Sequence, residues 1–324
     1  MKILGIGNAL VDVIARLDNE SFLKGFSLQK GGMEMIDADT KRQLHEAMKD
    51  MKQTLASGGS TSNTIHGLAR LGAEAGFIGK VSHDAMGDFF RQDMLNSHIT
   101  PHLLYSDVDT GIATTLMTPD AERTFATYLG AAATMVPEEI SREVLSQYDY
   151  IHVEGYLIFN RELIVAVCRM AKECGLRVSM DMASYNIVAQ NRDFIRELLH
   201  NYVDVIFANE DEARAYTGKE EEDALNMLAE ECEVAIVKLG KRGSLVKMNG
   251  ETTFIPPMEA PCIDTNGAGD IYAAGFLYGL INNYDAAKSG YIATLLATEM
   301  IQTVGAKLSD SQWDKIRQQV LGGE

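Results

Sequence analysis

Short runs rich in β-branched and apolar residues alternate with helical patterns along most of the 324 residues. That alternation constrains the fold more than any other feature. Strand patterns fall on residues 2–7, 75–81, 150–153, 176–181, 203–207 and 234–239. Helical periodicity falls between them, on 39–51, 61–71, 85–96, 161–173, 210–216 and 222–231. Strand followed by helix, repeated, builds a mostly parallel sheet covered on both faces. The run Asp204-Val-Ile-Phe207 is nearly all apolar, as a strand buried on both sides should be. Two successive helices rich in Ala, Leu and Ile are read at 267–282 and 285–303, and a last amphipathic one at 311–320. The expectation is an α/β fold: a three-layer α/β/α sandwich with a mostly parallel central sheet, one domain over 1–324.

Two stretches break the alternation. Residues 10–37 open with an extended segment, 10–17, and continue through glycines to Ile36. Residues 101–128 carry short β runs at 103–106, 112–118 and 123–128, with turn chemistry at 118–121. No low-complexity linker bounds either stretch. The two inserted segments, about 10–37 and 101–128, are therefore expected to form a small β-sheet lid.

Charge narrows the partners. Asp plus Glu number 46 against 29 Lys plus Arg, a net charge of −17. Such a field repels nucleic acid and anionic membrane, so neither is an expected partner. No segment reaches the ~18 apolar residues that a membrane helix needs. The apolar start is broken by Asn8 and Asp12, a poor match to a signal peptide. Cys168, Cys174, Cys232 and Cys262 follow no zinc or redox spacing, and few thiols in a chain this long suit a reducing compartment. A cytoplasmic location is expected, as monomer or homodimer.

Five motifs carry candidate chemistry. The most specific is Asp264-Thr-Asn-Gly-Ala-Gly-Asp270, leading into an apolar helix. A helix N-terminus has unpaired N–H groups and a positive dipole end, which suits an anion. Gly267 and Gly269 let backbone amides approach closely. A carboxylate in that first turn, Asp270, can take the proton of an attacking hydroxyl while the amides hold a transferring phosphoryl group. A bare GxGD would more often be helix packing with a dipole-complementing acid; the seven-residue string favours chemistry.

The second motif, Ser57-Gly58-Gly59-Ser-Thr-Ser-Asn63, brings backbone close to a ligand and offers Asn63 to vicinal hydroxyls. Its bland alternative is a glycine turn with an N-cap. The third is Asn8 with Asp12 after the first strand; Asp12 can grip a polyol through two hydroxyls. The overlapping Gly5-x-Gly7 lacks the third glycine of a dinucleotide fingerprint. The fourth, Asn209-Glu-Asp-Glu212, follows a buried strand and offers oxygens to Mg²⁺ through water, or else a capping acid cluster. The fifth, Lys238-Leu-Gly240-Lys-Arg-Gly243, reads either as a glycine turn over a nucleotide or as a plain β-turn. Arg123 is the cation nominated to neutralise phosphate on closure; a solvated hairpin arginine is the equal alternative.

Gly58-Gly59-x-x-x-Asn63 and Asp264–Asp270 closely resemble the two signatures of the ribokinase-like (PfkB) family of carbohydrate and nucleoside kinases. Asn209-x-x-Glu212 and Lys238-Leu-Gly240 are similar to two further family motifs, in the right order. The resemblance implies a kinase using ATP and Mg²⁺, with a monovalent cation as an optional third. It implies that Asp270 is the base and that Gly267, Ala268 and Gly269 form the anion hole. Thr265, Asn209, Lys238, Gly240 and Gly243 would face the nucleotide, and Glu212 would serve Mg²⁺ through water. Within the family, Gly7-Asn8-Ala-Leu-Val-Asp12, the glycine motif and Asn266 look like the members that phosphorylate adenosine. By that similarity Asp12, Gly59 and Asn63 would hold ribose, and Ile36 with Tyr156 or Leu157 would sandwich a base. Asp181-Met-Ala-Ser departs from the Asp-x-Asn of many sugar kinases. The rivals are a ribose, fructose or related sugar kinase, an inosine or guanosine kinase, a non-catalytic nucleotide binder and an NAD-dependent oxidoreductase.

Overall fold

The computed structural model describes residues 1–120 and 122–321. In chain order the strands are β1 (Lys2–Ile6), β2 (Leu10–Arg16), β3 (Met33–Met35), β4 (Gln53–Gly58), β5 (Glu74–Ser82) and β6 (Ile99–Ser106). They continue with β7 (Gly111–Met117), β8 (Arg123–Tyr128), β9 (Tyr150–Val153) and β10 (Arg177–Asp181). The last four are β11 (Val205–Asn209), β12 (Val234–Lys238), β13 (Ser244–Met248) and β14 (Glu251–Ile255).

Nine of them form one sheet, in the order β14-β13-β12-β11-β10-β9-β1-β5-β6. The run from β12 through β6 is parallel throughout, and the hairpin β13–β14 adds an antiparallel edge. Alternate residues of a strand serve opposite faces. In β11, Val205 and Phe207 enter one core while Ile206 and Ala208 enter the other. Helices cover both faces. Ser60–Arg70, Ala268–Ile281 and Ala286–Met300 pack into the first core; Arg161–Glu173, Tyr185–Tyr202 and Glu210–Thr217 pack into the second. Helix Ala268–Ile281 is buried without a break from Ile271 to Ile281. A helix apolar all round belongs in an interior, which explains its lack of any polar stripe.

The other five strands form a smaller sheet, β3-β8-β7-β2-β4. It holds β2, β7 and β8 as the sequence suggests, but two boundaries need correction. Residues 101–106 lie in β6, paired with β5 at the edge of the large sheet. The small sheet also recruits β4, antiparallel to β2, from outside the expected segments. The run 53–58 has only one clear apolar partner set, since Gln53, Thr54 and Leu55 stay exposed, so its strand pattern is weak. The turn expected at 118–121 includes Ala121, which lies outside the described residues.

Helix Tyr185–Tyr202 and the hairpin of β13 and β14 are among the elements the sequence reading did not place. Helix Tyr185–Tyr202 is interrupted by Asn191 in a non-helical conformation, which breaks its periodicity. The β13–β14 hairpin turns at Asn249-Gly250, both with positive φ. Asn-Gly between alternating runs is a strong hairpin signal that the sequence did carry.

Candidate active site

Parallel sheets expose the C-terminal ends of their strands along one rim, where α/β proteins place ligands. Five site residues follow that rule. Asn8 follows β1, Glu154 follows β9, and Asp181, Asn209 and Lys238 end β10, β11 and β12. All five line one cleft of about 790 Å³ between the rim and the small sheet. Asp12, Gly59, Ser60, Asn63, Gly267, Gly269 and Asp270 line it too.

Asp270 sits in the first turn of helix Ala268–Ile281. Gly267 ahead of that helix adopts φ +72°, a left-handed conformation natural to glycine. Ser60 Oγ donates to Asp270 Oδ1 at 2.7 Å, and Asn63 Nδ2 donates to Oδ2 at 3.0 Å. Thr64 Oγ1 donates to the Asp270 carbonyl at 3.1 Å. Burial pushes the Asp270 carboxyl up to about 6; the bonds from Asn63 and Ser60 oppose the shift, Asp181 adds to it, and Lys238 opposes it. A carboxyl with its midpoint near about 6 is mostly ionised at neutral pH and can take a proton there.

The glycine motif exists to make room. A β-carbon on Gly58 would lie 2.1 Å from Asp12 Oδ1. Gly59 has φ +94°, and a β-carbon there would lie 2.3 Å from the Asn8 carbonyl. Asp12 therefore sits directly against the Gly58 backbone. Burial pushes its carboxyl up to about 7, with Lys307 opposing and Asp270 adding. No side chain or amide among the described residues donates to Asp12.

Glu154 is a site residue that the motifs missed. It is buried, accepts from Asn8 Nδ2 at 2.5 Å and from the Thr61 amide at 3.2 Å, and stands at about 7 because of burial. Asp181 was missed as well. It accepts from Lys238 Nζ at 3.2 Å and from the Ala183 amide at 2.8 Å. An acid directly after an apolar strand run was the available signal for both.

Lys238 brings its ammonium into the cleft, beside Gly269, where a β-carbon would lie 3.2 Å from Nζ. Burial disfavours its charge, but Asp181, Glu212 and Asp270 outweigh that and hold its pKa above the ordinary value. Asn209 and Glu212 are held together as a capping box at the start of helix Glu210–Thr217. Glu212 is pushed up to about 7 by burial and by Asp181. Among the described residues no three His, Cys, Asp or Glu converge as an all-protein metal cage. Two carboxylates crowded against their own charge, Asp181 and Glu212, do suit a hydrated Mg²⁺ completed by phosphate oxygens.

Other expected residues fall elsewhere. Ile36 points away from the cleft and packs on the core, while Met33 and Met35 line the cleft. One residue changes face in a strand, so the expectation was out by one position. Tyr156 and Phe159 line the cleft; Leu157 is buried in the core. Gly240 and Gly243 shape the turn from β12 to β13, away from the cleft lining. Thr265 lines a second cavity of about 720 Å³, shared with Arg16 and Arg123. Arg123 is neither a free phosphate cation nor a solvated hairpin residue in this structure. Its guanidinium lies 2.5 Å from the Asp264 carboxylate, with both side chains nearly buried. Asp264 also receives the amides of Asn266 at 3.0 Å and Gly305 at 2.7 Å, so with Arg123 it ties β8 to the turn before helix Ala268–Ile281.

Residues 31–313 match the pfkB family carbohydrate kinase. This chain belongs to the PfkB family. The adenosine kinase of Sinorhizobium meliloti superposes with a TM-score of 0.87 at 34% identity, covering 98% of this chain and 99% of its own. The adenosine kinase of Saccharomyces cerevisiae is 28% identical over 324 residues, covering 93% of this chain and 94% of its own. The 5-dehydro-2-deoxygluconokinase of Geobacillus thermodenitrificans is 27% identical over 295 residues, covering 85% and 88%. As a PfkB member the protein is an ATP-dependent kinase acting on a small-molecule sugar or nucleoside. No helix among the described residues is long and apolar enough to cross a membrane.

Proposed function

We propose that this PfkB kinase transfers the γ-phosphoryl group of ATP to the 5′-hydroxyl of adenosine. Asp270 takes the hydroxyl proton as the acceptor oxygen bonds to phosphorus and the bond to the ADP oxygen breaks. The amides of Gly267, Ala268 and Gly269 receive the charge of the migrating group. Asp12 and Asn63 hold the acceptor's hydroxyls, and the small sheet closes over it as a lid. Asp181 and Glu212 would hold Mg²⁺ through waters, and the ion would neutralise phosphate charge. Lys238, beside Gly269, adds a second cation on the nucleotide side.

The observation that supports a nucleoside is the apolar share of the cleft lining. Met33, Met35, Leu129, Tyr156 and Phe159 line the same cleft as Asp12 and Asp270. A flat base covers such a wall, whereas a bare sugar leaves it wet. The adenosine kinases among the relatives favour the same reading. A sugar acceptor is the second reading, favoured by the 5-dehydro-2-deoxygluconokinase at similar identity.

An ATP-consumption screen over adenosine, inosine, ribose, fructose and related polyols decides between them. Adenosine should give the highest kcat/KM. A higher value for a sugar would replace the first reading with the second.

A further inference from the structure

The segment after helix Ala286–Met300 packs against both β2 and the turn that precedes helix Ala268–Ile281. The Gly305 amide donates to Asp264 at 2.7 Å, and Gly305 lies against Ile14 of β2. Ala306 approaches Gly267 so closely that a β-carbon on Gly267 would lie 2.7 Å from Ala306 Cβ. Lys307 comes next, so its position is fixed by contacts to both that turn and the strand that bears Asp12. Its ammonium is buried, and no group among the described residues accepts a hydrogen bond from it.

A buried ammonium without a direct partner is costly unless nearby charge compensates it. The charges that reach Lys307 are Asp93, Asp12 and Asp270. His66, on helix Ser60–Arg70, faces it too and is held well below its ordinary pKa, first by burial and then by Lys307 and Arg70. Asp93 is already engaged by the Ser57 hydroxyl, and Asp270 by Ser60 and Asn63. Asp12 is left, a cleft carboxylate with no protein donor of its own.

We propose that Lys307 is a positioning residue for phosphoryl transfer, keeping the Asp12 carboxylate charged so that Asp12 can grip the acceptor's hydroxyls. This rests on the reading of Asp12 as an acceptor ligand. The titration of the two groups agrees with it. Burial brings Asp12 up to about 7 with Lys307 opposing, and brings Lys307 down to about 8 with Asp93, Asp12 and Asp270 opposing. Near neutral pH both groups carry charge, and removing the ammonium would leave burial and Asp270 to neutralise Asp12. Lys307 does not line the cleft; it acts through Asp12.

The test measures the acceptor's Kd by calorimetry between pH 5 and 9, using whichever of adenosine or ribose the ATP-consumption screen selects. It is run in Asp270→Asn protein, so that the base does not titrate. Lys307→Met and Lys307→Gln should weaken acceptor binding about tenfold or more at pH 7 and leave the Kd of ATP unchanged. They should also move the acid limb of acceptor binding to higher pH by at least about one unit, the usual effect of losing an opposite charge. Lys307→Arg should restore both. Adding Asp12→Asn to either variant should cause no further loss.

An unmoved acid limb, or equal losses for ATP and acceptor, would reduce Lys307 to a packing residue and overturn the proposal. Failure of both Met and Gln variants to fold would do the same. If Asp12→Asn alone leaves acceptor binding intact, the acceptor site itself is misassigned, which is a different failure.

Discussion

The cleft holds two carboxylates in contrasting surroundings. Asp270 is met by the protein itself, through Ser60 Oγ at 2.7 Å and Asn63 Nδ2 at 3.0 Å. Asp12, pressed against Gly58, is met by no donor among the described residues. Burial raises both; at Asp270 two donated bonds oppose the rise, whereas at Asp12 the opposition comes from the charge of Lys307. Under the proposed function the difference separates two tasks. The transfer end would be built in advance, as a site that must stabilise a transition state requires. The acceptor end would be left unsatisfied, so that substrate hydroxyls supply the missing donors and gain affinity by doing so.

Breaking the transfer end should have the largest effect. Asp270→Asn should lower kcat by about 10²–10⁴-fold, the range of general-base contributions, while the Kd of ATP stays within about twofold. Steady-state kinetics with a parallel nucleotide titration checks this, and nearly intact turnover would reassign the base.

Breaking the acceptor end should act on binding. Asp12→Asn should raise the acceptor's KM by about 10–100-fold with kcat reduced far less, since hydrogen bonds to a charged group contribute about 1.5–3 kcal/mol. Equal loss in kcat and KM would erase the contrast between the two carboxylates.

Asn63 sharpens the comparison, because it stands between the two ends. Its Nδ2 is spent on Asp270. Asn63→Ala should therefore raise the Asp270 pKa and cut kcat about tenfold at pH 6, with most of the rate recovered by pH 8. A uniform loss at both pH values would place Asn63 on the acceptor alone.

The smallest effect concerns stability. Glu154 is buried and stands at about 7, above its ordinary 4.5. A raised carboxyl pKa contributes stability that is present below pH 4.5 and is lost as pH rises through about 7. Glu154→Gln should remove that loss, so its Tm should fall less than the wild type's between pH 5 and 8. Parallel melting curves would contradict the assignment.

Much of this arrangement was legible in the sequence. The strand–helix alternation gave the three-layer architecture because each parallel strand is buried on both faces and reads as one apolar run. The string Asp264–Asp270 placed a helix start with Asp270 in its first turn on the cleft, as the structure has it, because a left-handed turn before a helix is natural to glycine. Two other cleft acids were harder to read. Glu154 belongs to no string, and Asp181 entered only in a segment that departs from a sugar-kinase pattern; both are single acids at strand ends, brought together only by the order of β9 and β10 in the sheet. Ile36 was placed one residue out, since a three-residue strand, Met33–Met35, carries too little alternation to set its face. Arg123 looked like a free cation because its partner, Asp264, lies far along the chain in the turn before helix Ala268–Ile281. β4 was hidden because its exposed residues lack an apolar pattern, and only pairing with β2 reveals it.

The central claim is that burial, held in check by the Asn63 and Ser60 donors, sets Asp270 as a base with its midpoint at about 6. It is tested most directly by the pH dependence of kcat for the wild-type enzyme at saturating ATP and acceptor, between pH 4.5 and 8.5. The rate should be flat above pH 7, half-maximal near about 6, and fall tenfold per unit below that. A rate unchanged down to pH 5 would contradict it.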